Sequence, residues 1–255
     1  MRNDVCITVA TVCYNASAMI ERTLNSVAGQ SYPNIEHIIV DGCSKDDTMQ
    51  KVSDYANGES LHKIVVKSEP DKGLYDAMNK ALQMASGDYI VFMNAGDKFH
   101  SVDTVRQIVD SLPEGELPGV VYGETDLVDD NGCFVSKRWH SVPEVLTWRS
   151  FLNGMLVCHQ SFYARVDIAR NTPYNLKYRL SADVDWCIRI MRETERLGLR
   201  LHNVRMVVTD YLSEGMTTQN HKASLKERFH VMTEHYGLFR TIIQHIWFVV
   251  RKFIK

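Results

Sequence analysis

What most restricts the fold of this 255-residue chain is an alternation near its start, in which short, almost wholly apolar runs are each followed by a loop and a segment of helical spacing. Val5 to Val12 is β-branched or small, as a strand covered on both faces of a parallel sheet requires. The turn Tyr14-Asn15-Ala16-Ser17 follows, with Ser17 suited to cap a helix in which Ile20, Leu24 and Val27 recur until Gly29. The unit then repeats: a strand at Ile35 to Val40, a helix from Asp46 to about Tyr55, and a strand at Leu61 to Val66. Next come a helix at Leu74 to Ala85 closed by Gly87, a strand at Tyr89 to Met93 and a helix at Val102 to Leu112. Strands alternating with helices predict an α/β fold on a doubly wound parallel sheet, whose ligands bind beyond the carboxyl ends of the strands.

After Pro113 the pattern becomes mixed. Val120 to Val128 and Cys133 to Trp139 read as a hairpin about Asp129-Asp130-Asn131-Gly132. Val157 to Tyr163 and Val204 to Val208 read as strands, Val184 to Leu197 as a helix, and Lys222 onward as helical. No repeat and no linker interrupts the chain, so one domain is expected over residues 1–237, an alternating half (1–112) followed by a mixed half (113–237). Residues 238–255 form a separate amphipathic helix.

With 45% hydrophobic and 24% charged residues, disordered and low-complexity classes are excluded. Lys and Arg total 29 against 31 Asp and Glu, so no global field draws nucleic acid, and any anionic ligand must be held locally. The six cysteines include no C-x-x-C pair and have no histidine at zinc-site spacing, which favours a reducing compartment. The N-terminal stretch, interrupted by Asp4 and Thr8, does not read as a signal peptide, so a cytoplasmic location is expected.

The first loop contains no glycine, which excludes both the dinucleotide-binding fingerprint and the P-loop. The loops carry carboxylate instead: Asp41 to Thr48 after the second strand, Glu69 to Gly73 after the third, and Asn94-Ala95-Gly96-Asp97 after the fourth. Carboxylates gathered at one sheet edge repel one another and need a cation or a ligand rich in donors. Mg²⁺ or Mn²⁺ takes one or two carboxylates and completes its shell with phosphate oxygens, which points to a nucleoside diphosphate. Asp46 and Asp47 read better as helix caps.

Taken in order, Val-Cys-Tyr-Asn, Val-Asp-Gly-Cys-Ser-Lys-Asp-Asp-Thr, Glu-Pro-Asp-Lys-Gly-Leu-Tyr-Asp-Ala-Met-Asn-Lys and Gly-Asp-Tyr-Ile-Val-Phe-Met-Asn-Ala-Gly-Asp resemble the family 2 glycosyltransferases of the GT-A fold. The resemblance covers residues 5 to about 110. It is especially close to enzymes that assemble bacterial exopolysaccharides such as colanic acid. It implies a Rossmann-like, mostly parallel sheet flanked by helices, in which residues 1–112 are the nucleotide-sugar-binding half and the mixed residues 113–237 the acceptor-binding half.

Carried over by position, the resemblance implies that Tyr14 lies against the base and that Asp41 accepts from the base or ribose. Asp71 and Gly73 would lie on the sugar or ribose side. The family's Asp-x-Asp metal motif is represented here by Asn94-Ala95-Gly96-Asp97, which leaves Asp97 as the ionised metal ligand and Asn94 as a neutral oxygen beside it. Asp183, in Leu180-Ser181-Ala182-Asp183-Val184-Asp185-Trp186, takes the place of the catalytic base. His159, in His159-Gln160, lines the acceptor or donor-sugar pocket. Asp76 and Asn79 share a helical face with Lys80, and Ser213 to Thr218 resembles the loop that closes over the diphosphate.

The function expected is an inverting transfer of sugar from a nucleoside-diphosphate donor, UDP-linked, to a hydroxyl of a glycan or lipid-linked glycan, assisted by Mn²⁺ or Mg²⁺. Two other classes stay open: a nucleotide-sugar-binding protein without catalysis, and a metal-dependent nucleotidyltransferase. The second would want another metal-binding carboxylate and a phosphate-facing Lys or Arg, and the loops offer neither. Near the C-terminus, Phe239, Ile242, Ile243, Ile246, Trp247, Val250, Phe253 and Ile254 follow the spacing of one helical face, with Arg240, Arg251, Lys252 and Lys255 off it. Such a helix is too polar to span a bilayer. It suits peripheral contact with the inner face of the cell membrane, packing on the domain, or pairing in a homodimer.

Overall fold

The computed structural model describes residues 4–212 and 221–254. In the first half the strands are β1 (Ile7–Cys13), β2 (Ile35–Asp41), β3 (Lys63–Ser68), β4 (Tyr89–Phe92) and the two-residue β5 (Lys98–Phe99). Between them run α1 (Ile20–Ala28), α2 (Thr48–Asn57) and α3 (Leu74–Met84), followed by α4 (Thr104–Asp110). The second half contributes β6 (Val120–Val128), β7 (Phe134–Lys137), β8 (Phe162–Arg165), α5 (Val166–Arg170), α6 (Ala182–Arg196) and β9 (Leu201–Leu212), then α7 (His221–Tyr236) and α8 (Leu238–Ile254). Gly237, with φ of 83°, breaks the last two helices apart.

One sheet takes the strand order β3-β2-β1-β4-β8-β6-β9-β5, with β7 paired to β6. The β1–β2, β2–β3 and β1–β4 ladders are parallel, whereas β8 runs antiparallel to both β4 and β6. β9 is parallel to β6, and β5 antiparallel to β9. Every residue of β1 and β2 is buried, so their apolar runs cover both faces of the sheet. In β1, Ile7 and Val9 pack with Val105 and Ile108 of α4, while Ala10 and Val12 pack with Met78 and Leu82 of α3. This two-residue alternation places helices on both sides of the central strands.

The strands and helices expected in the first half are present, with boundaries moved by a few residues. Ser17 does not cap α1: the residue ahead of the helix is Met19, with no side-chain cap, and the Ser17 amide donates to Asp46 Oδ2 at 3.1 Å. The strand expected over Val157 to Tyr163 is displaced. Its first part is a 3₁₀ turn, His159–Ser161, and pairing begins only at Phe162. Helix α5 and strand β5, too short to carry a periodic signal, were not anticipated.

At the amino-terminal end of the sheet, buried Glu36 accepts from Thr8 Oγ1, Lys63 Nζ and the amide and hydroxyl of Ser86. Burial opposes its charge, but these bonds outweigh it and bring its pKa down to about 2. Gly87 lies beside the same network, and a Cβ there would stand 2.7 Å from the Cys6 carbonyl oxygen and 2.8 Å from Thr8 Oγ1. The Asp88 amide donates to that carbonyl, so the backbone has no room to yield. Gly87→Ala is expected to cost roughly 1 to 3 kcal/mol in urea unfolding; an unchanged midpoint would show that this junction is not close-packed.

Candidate active site

The carboxyl ends of β1, β2, β3 and β4 open on one edge of the sheet. There the turn after β1 is fastened to the loop after β2. The Asn15 amide donates to Ser44 Oγ at 2.8 Å, the Lys45 amide donates to Asn15 Oδ1 at 2.8 Å, and the Ala16 amide donates to Thr48 Oγ1 at 2.8 Å. Asn15 adopts φ of 49°, which an asparagine tolerates better than most residues. The turn presents Tyr14, 58% exposed, beside Gly42 and Asp71. A Cβ on Gly42 would overlap Asp71 Oδ2 and touch the Tyr14 ring, so glycine is what allows these groups to converge. Gly73 at φ of 116° turns the chain into α3, and its amide donates to Asp71 Oδ1 at 2.8 Å.

Asp41 ends β2 fully buried. Its carboxylate accepts from the amide and hydroxyl of Ser44 and, at 2.6 Å, from Ser68 Oγ. It is committed to its own loop and underlies the Tyr14 turn. Asp46 accepts from the Thr48 amide at 3.1 Å and from the Ser17 amide, so it links the first two loops as well as starting α2.

At the end of β4, Asp97 is buried. Gln160 Nε2 donates to its Oδ2 at 2.9 Å and the Leu212 amide to its Oδ1 at 3.1 Å. Burial raises its pKa to about 6; the bonds from Gln160 and Leu212 and the nearby charges of His159 and Arg22 offset only part of that cost. Asn94 Nδ2 meets His159 Nε2 at 3.1 Å, and Asn94 Oδ1 is buried with no hydrogen-bond partner. On the other side of the ring, His159 Nδ1 faces Asp183 Oδ2 at 3.4 Å. Tyr75 donates to Asp183 Oδ1 at 3.3 Å. Asp183 and Asn94 thus flank one imidazole, and Asp97 is bound by the next residue in the chain, Gln160.

Asp183 occupies the first turn of α6, with its own backbone neighbour Val184 donating to Oδ1 at 2.9 Å. Burial raises its pKa, but the His159 bond and the charges of His159 and Arg228 prevail and leave it below the usual carboxylate value. The chain leading into α6 is fixed by Glu227 of α7, which accepts from the amides of Arg179, Leu180 and Ser181. Asp185 points elsewhere, pairing with Arg189 and His235, each at 2.8 Å. Asn79 exchanges bonds with the backbone of Tyr174, and Tyr174 stacks between Tyr75 and Trp186. The aromatic stack therefore backs the Tyr75–Asp183 contact. Asp76 lies 3.9 Å from Lys80 and supports the helix rather than the site.

The orphaned Asn94 oxygen and the costly burial of the Asp97 carboxylate fit a divalent cation whose other ligands come from phosphate. A second group, His100, Asp126 and Asp210, has ligand atoms within 4.8 Å of one another, but Lys98 Nζ already stands 3.0 Å from Asp210. That group ties β5 to β9. Sequence reasoning missed Arg228 and Arg22, whose charges act on Asp183 and Asp97, because both come from helices away from the acidic loops. The loop at Ser213 to Thr218 lies outside the described residues.

Residues 8–171 match the family of sequences described as "Glycosyl transferase family 2". The chain belongs to that family. It is 29% identical over 198 residues to a "PGL/p-HBAD biosynthesis glycosyltransferase" of Mycobacterium bovis, covering 77% of this chain and 73% of the relative. Its fold is that of S. aureus TarS 1-349, solved in complex with UDP-GlcNAc, at a TM-score of 0.70 and 20% identity. The match covers 89% of this chain and 64% of TarS 1-349, so the chain spans less than two thirds of that structure. The mannosyltransferase PcManGT from Pyrobaculum calidifontis, solved in complex with GDP-Man and Mn2+, matches over 96% of this chain and 77% of its own at a TM-score of 0.62 and 19% identity. The α/β sheet is thus the GT-A fold, and the chain is a glycosyltransferase.

The Asp97 environment has a consequence for stability. In the unfolded chain this carboxyl loses its proton near its ordinary value of 3.8, whereas the folded protein keeps it to about 6. Folded protein therefore binds more protons in that window, and the contribution of Asp97 to stability falls as pH rises through it. Glu36, with its pKa lowered, has the opposite sign: its contribution is present above the usual carboxylate range and is lost as pH falls toward 2. Without metal, thermal melts of Asp97→Asn are expected to lose the decline that the unsubstituted protein shows between about pH 4 and pH 6. Parallel pH profiles would contradict the assignment.

Proposed function

We propose that this glycosyltransferase transfers a sugar, with inversion, from a UDP-linked donor to a hydroxyl of a glycan or lipid-linked glycan in polysaccharide assembly. The observation that carries the reading is Asp183: a partly buried carboxylate held ionised, oriented by His159 and Tyr75, beside the loop after β4. In the transfer, the acceptor oxygen forms a bond to the anomeric carbon as the bond from that carbon to the diphosphate oxygen breaks. The electron pair leaves with UDP, and Asp183 takes the hydroxyl proton. His159, its Nδ1 directed at Asp183 Oδ2, steadies the carboxylate in position.

Tyr14 offers a face to the base, and Asp41, whose oxygens are taken by Ser44 and Ser68, supports that turn from beneath instead of reaching the base or ribose itself. Asp71 and Gly73 line the ribose and sugar side. Asp97 and Asn94 Oδ1 are the groups that would hold Mn²⁺ or Mg²⁺, which when bound neutralises charge on the diphosphate. Arg228 adds a cation on the acceptor side.

Asp183→Asn keeps shape and one acceptor oxygen but cannot take a proton. Transfer is expected to fall roughly 100-fold or more, with UDP-sugar affinity in calorimetry retained. Near-normal turnover would remove the base role from Asp183. An unsubstituted protein that binds UDP-sugars but turns none over, even with Mn²⁺ and glycan acceptors, would favour the non-catalytic binding reading.

A further inference from the structure

Helix α8 is attached to the domain by its polar side. Thr241 is buried, Gln244 Nε2 donates to Asn153 Oδ1 at 3.2 Å, and the His245 ring meets the edge of Phe229 at 4.9 Å. The stripe that the spacing marks out faces the other way: Phe239, Ile242, Ile243, Ile246, Trp247 and Val250 are all exposed, Phe239 at 77% and Ile246 at 58%. Val249, set apart from that stripe by its spacing, is exposed with it, while Phe248 turns toward His245. An amphipathic helix ordinarily buries its apolar face against the core. Here packing on the domain does not cover it, and a contiguous apolar patch of this extent marks an interaction surface.

Charge identifies the occupant. From His235 to Lys255 the sequence contains no Asp or Glu but carries Arg240, Arg251, Lys252 and Lys255, in a chain whose net charge is -2. A second copy would bring a like set of four cations against the first, whereas anionic headgroups would neutralise them. No helix among the described residues is long and apolar enough to cross a membrane. We propose that α8 lies in the plane of an anionic bilayer surface, its apolar face among the acyl chains, Trp247 at headgroup level and its cations on lipid phosphates. The proposal does not rest on the chemistry assigned to Asp183 and the donor loops.

Sedimentation of the full chain with vesicles tests it, comparing phosphatidylglycerol mixed with phosphatidylethanolamine against phosphatidylcholine alone. The protein is expected to pellet with the anionic vesicles and to bind the neutral ones roughly tenfold less or weaker. The double variant Ile246→Asp, Trp247→Asp, altered only at exposed positions, is expected to lose at least about tenfold in partitioning while keeping its circular dichroism and UDP affinity. Unsubstituted protein that stays in the supernatant with anionic vesicles overturns the proposal, as does equal pelleting of the double variant. A dimer in light scattering that the double variant dissolves, without vesicle binding, would assign the face to a second copy.

Discussion

Burying a carboxylate is costly, and the site is assembled around one that is buried. Asp97 reaches from the end of β4 to the side chain of Gln160 and the backbone of Leu212, so one group joins the donor-side sheet, the 3₁₀ turn before β8 and the end of β9. Thr209 adds a bond to the Gln160 carbonyl at 2.8 Å, and Ser161 meets Thr125 of β6 at 2.6 Å. The turn that carries His159 is therefore held from three strands. Its imidazole can then stand between Asn94 and Asp183 with little freedom to move, as positioning of a reacting group demands.

The two carboxylates near that imidazole are driven in opposite directions. Asp97 is pushed up to about 6 because burial outweighs its two donors and the charges of His159 and Arg22, while Asp183, only partly buried, ends below its ordinary value because the His159 bond and the charges of His159 and Arg228 outweigh burial. Environments that separate the pKa values of neighbouring acids commonly divide their roles. The group that stays ionised without help suits proton acceptance. The group that gains from an added cation suits metal binding, and the unpartnered oxygen of Asn94 lies in the same turn.

Much of the fold was legible because its elements are long and periodic. β1, β2 and α3 are read directly from apolar runs and helical spacing, and the hairpin of β6 and β7 from Asp129 to Gly132, where the Gly132 amide donates to the Asp129 carbonyl at 2.9 Å. What escaped has no period to show: β5 has two residues, α5 has five, and the His159 turn reads as strand because it lies between Val157-Cys158 and Phe162-Tyr163. In the site, Asp183, His159, Asn94 and Asp97 were nominated from the sequence, and the structure brings them together. The partners that orient them were not, since Tyr75, Glu227 and Arg228 reach Asp183 or the start of its helix across long separations in the chain. The outward turn of α8 was equally hidden, because an amphipathic stripe has the same spacing whether it faces a core or a bilayer.

The central claim is that one ionised carboxylate, Asp183, takes a proton from the acceptor while the sugar passes directly from diphosphate to oxygen. The stereochemistry at the anomeric carbon tests this most directly. Proton NMR of the first product formed from whichever UDP-sugar the protein turns over, with a glycan or water as acceptor, reads that configuration from the anomeric coupling. A single displacement assisted by Asp183 predicts the anomer opposite to the donor's. Retention of the donor configuration would require a second nucleophile and would contradict the account.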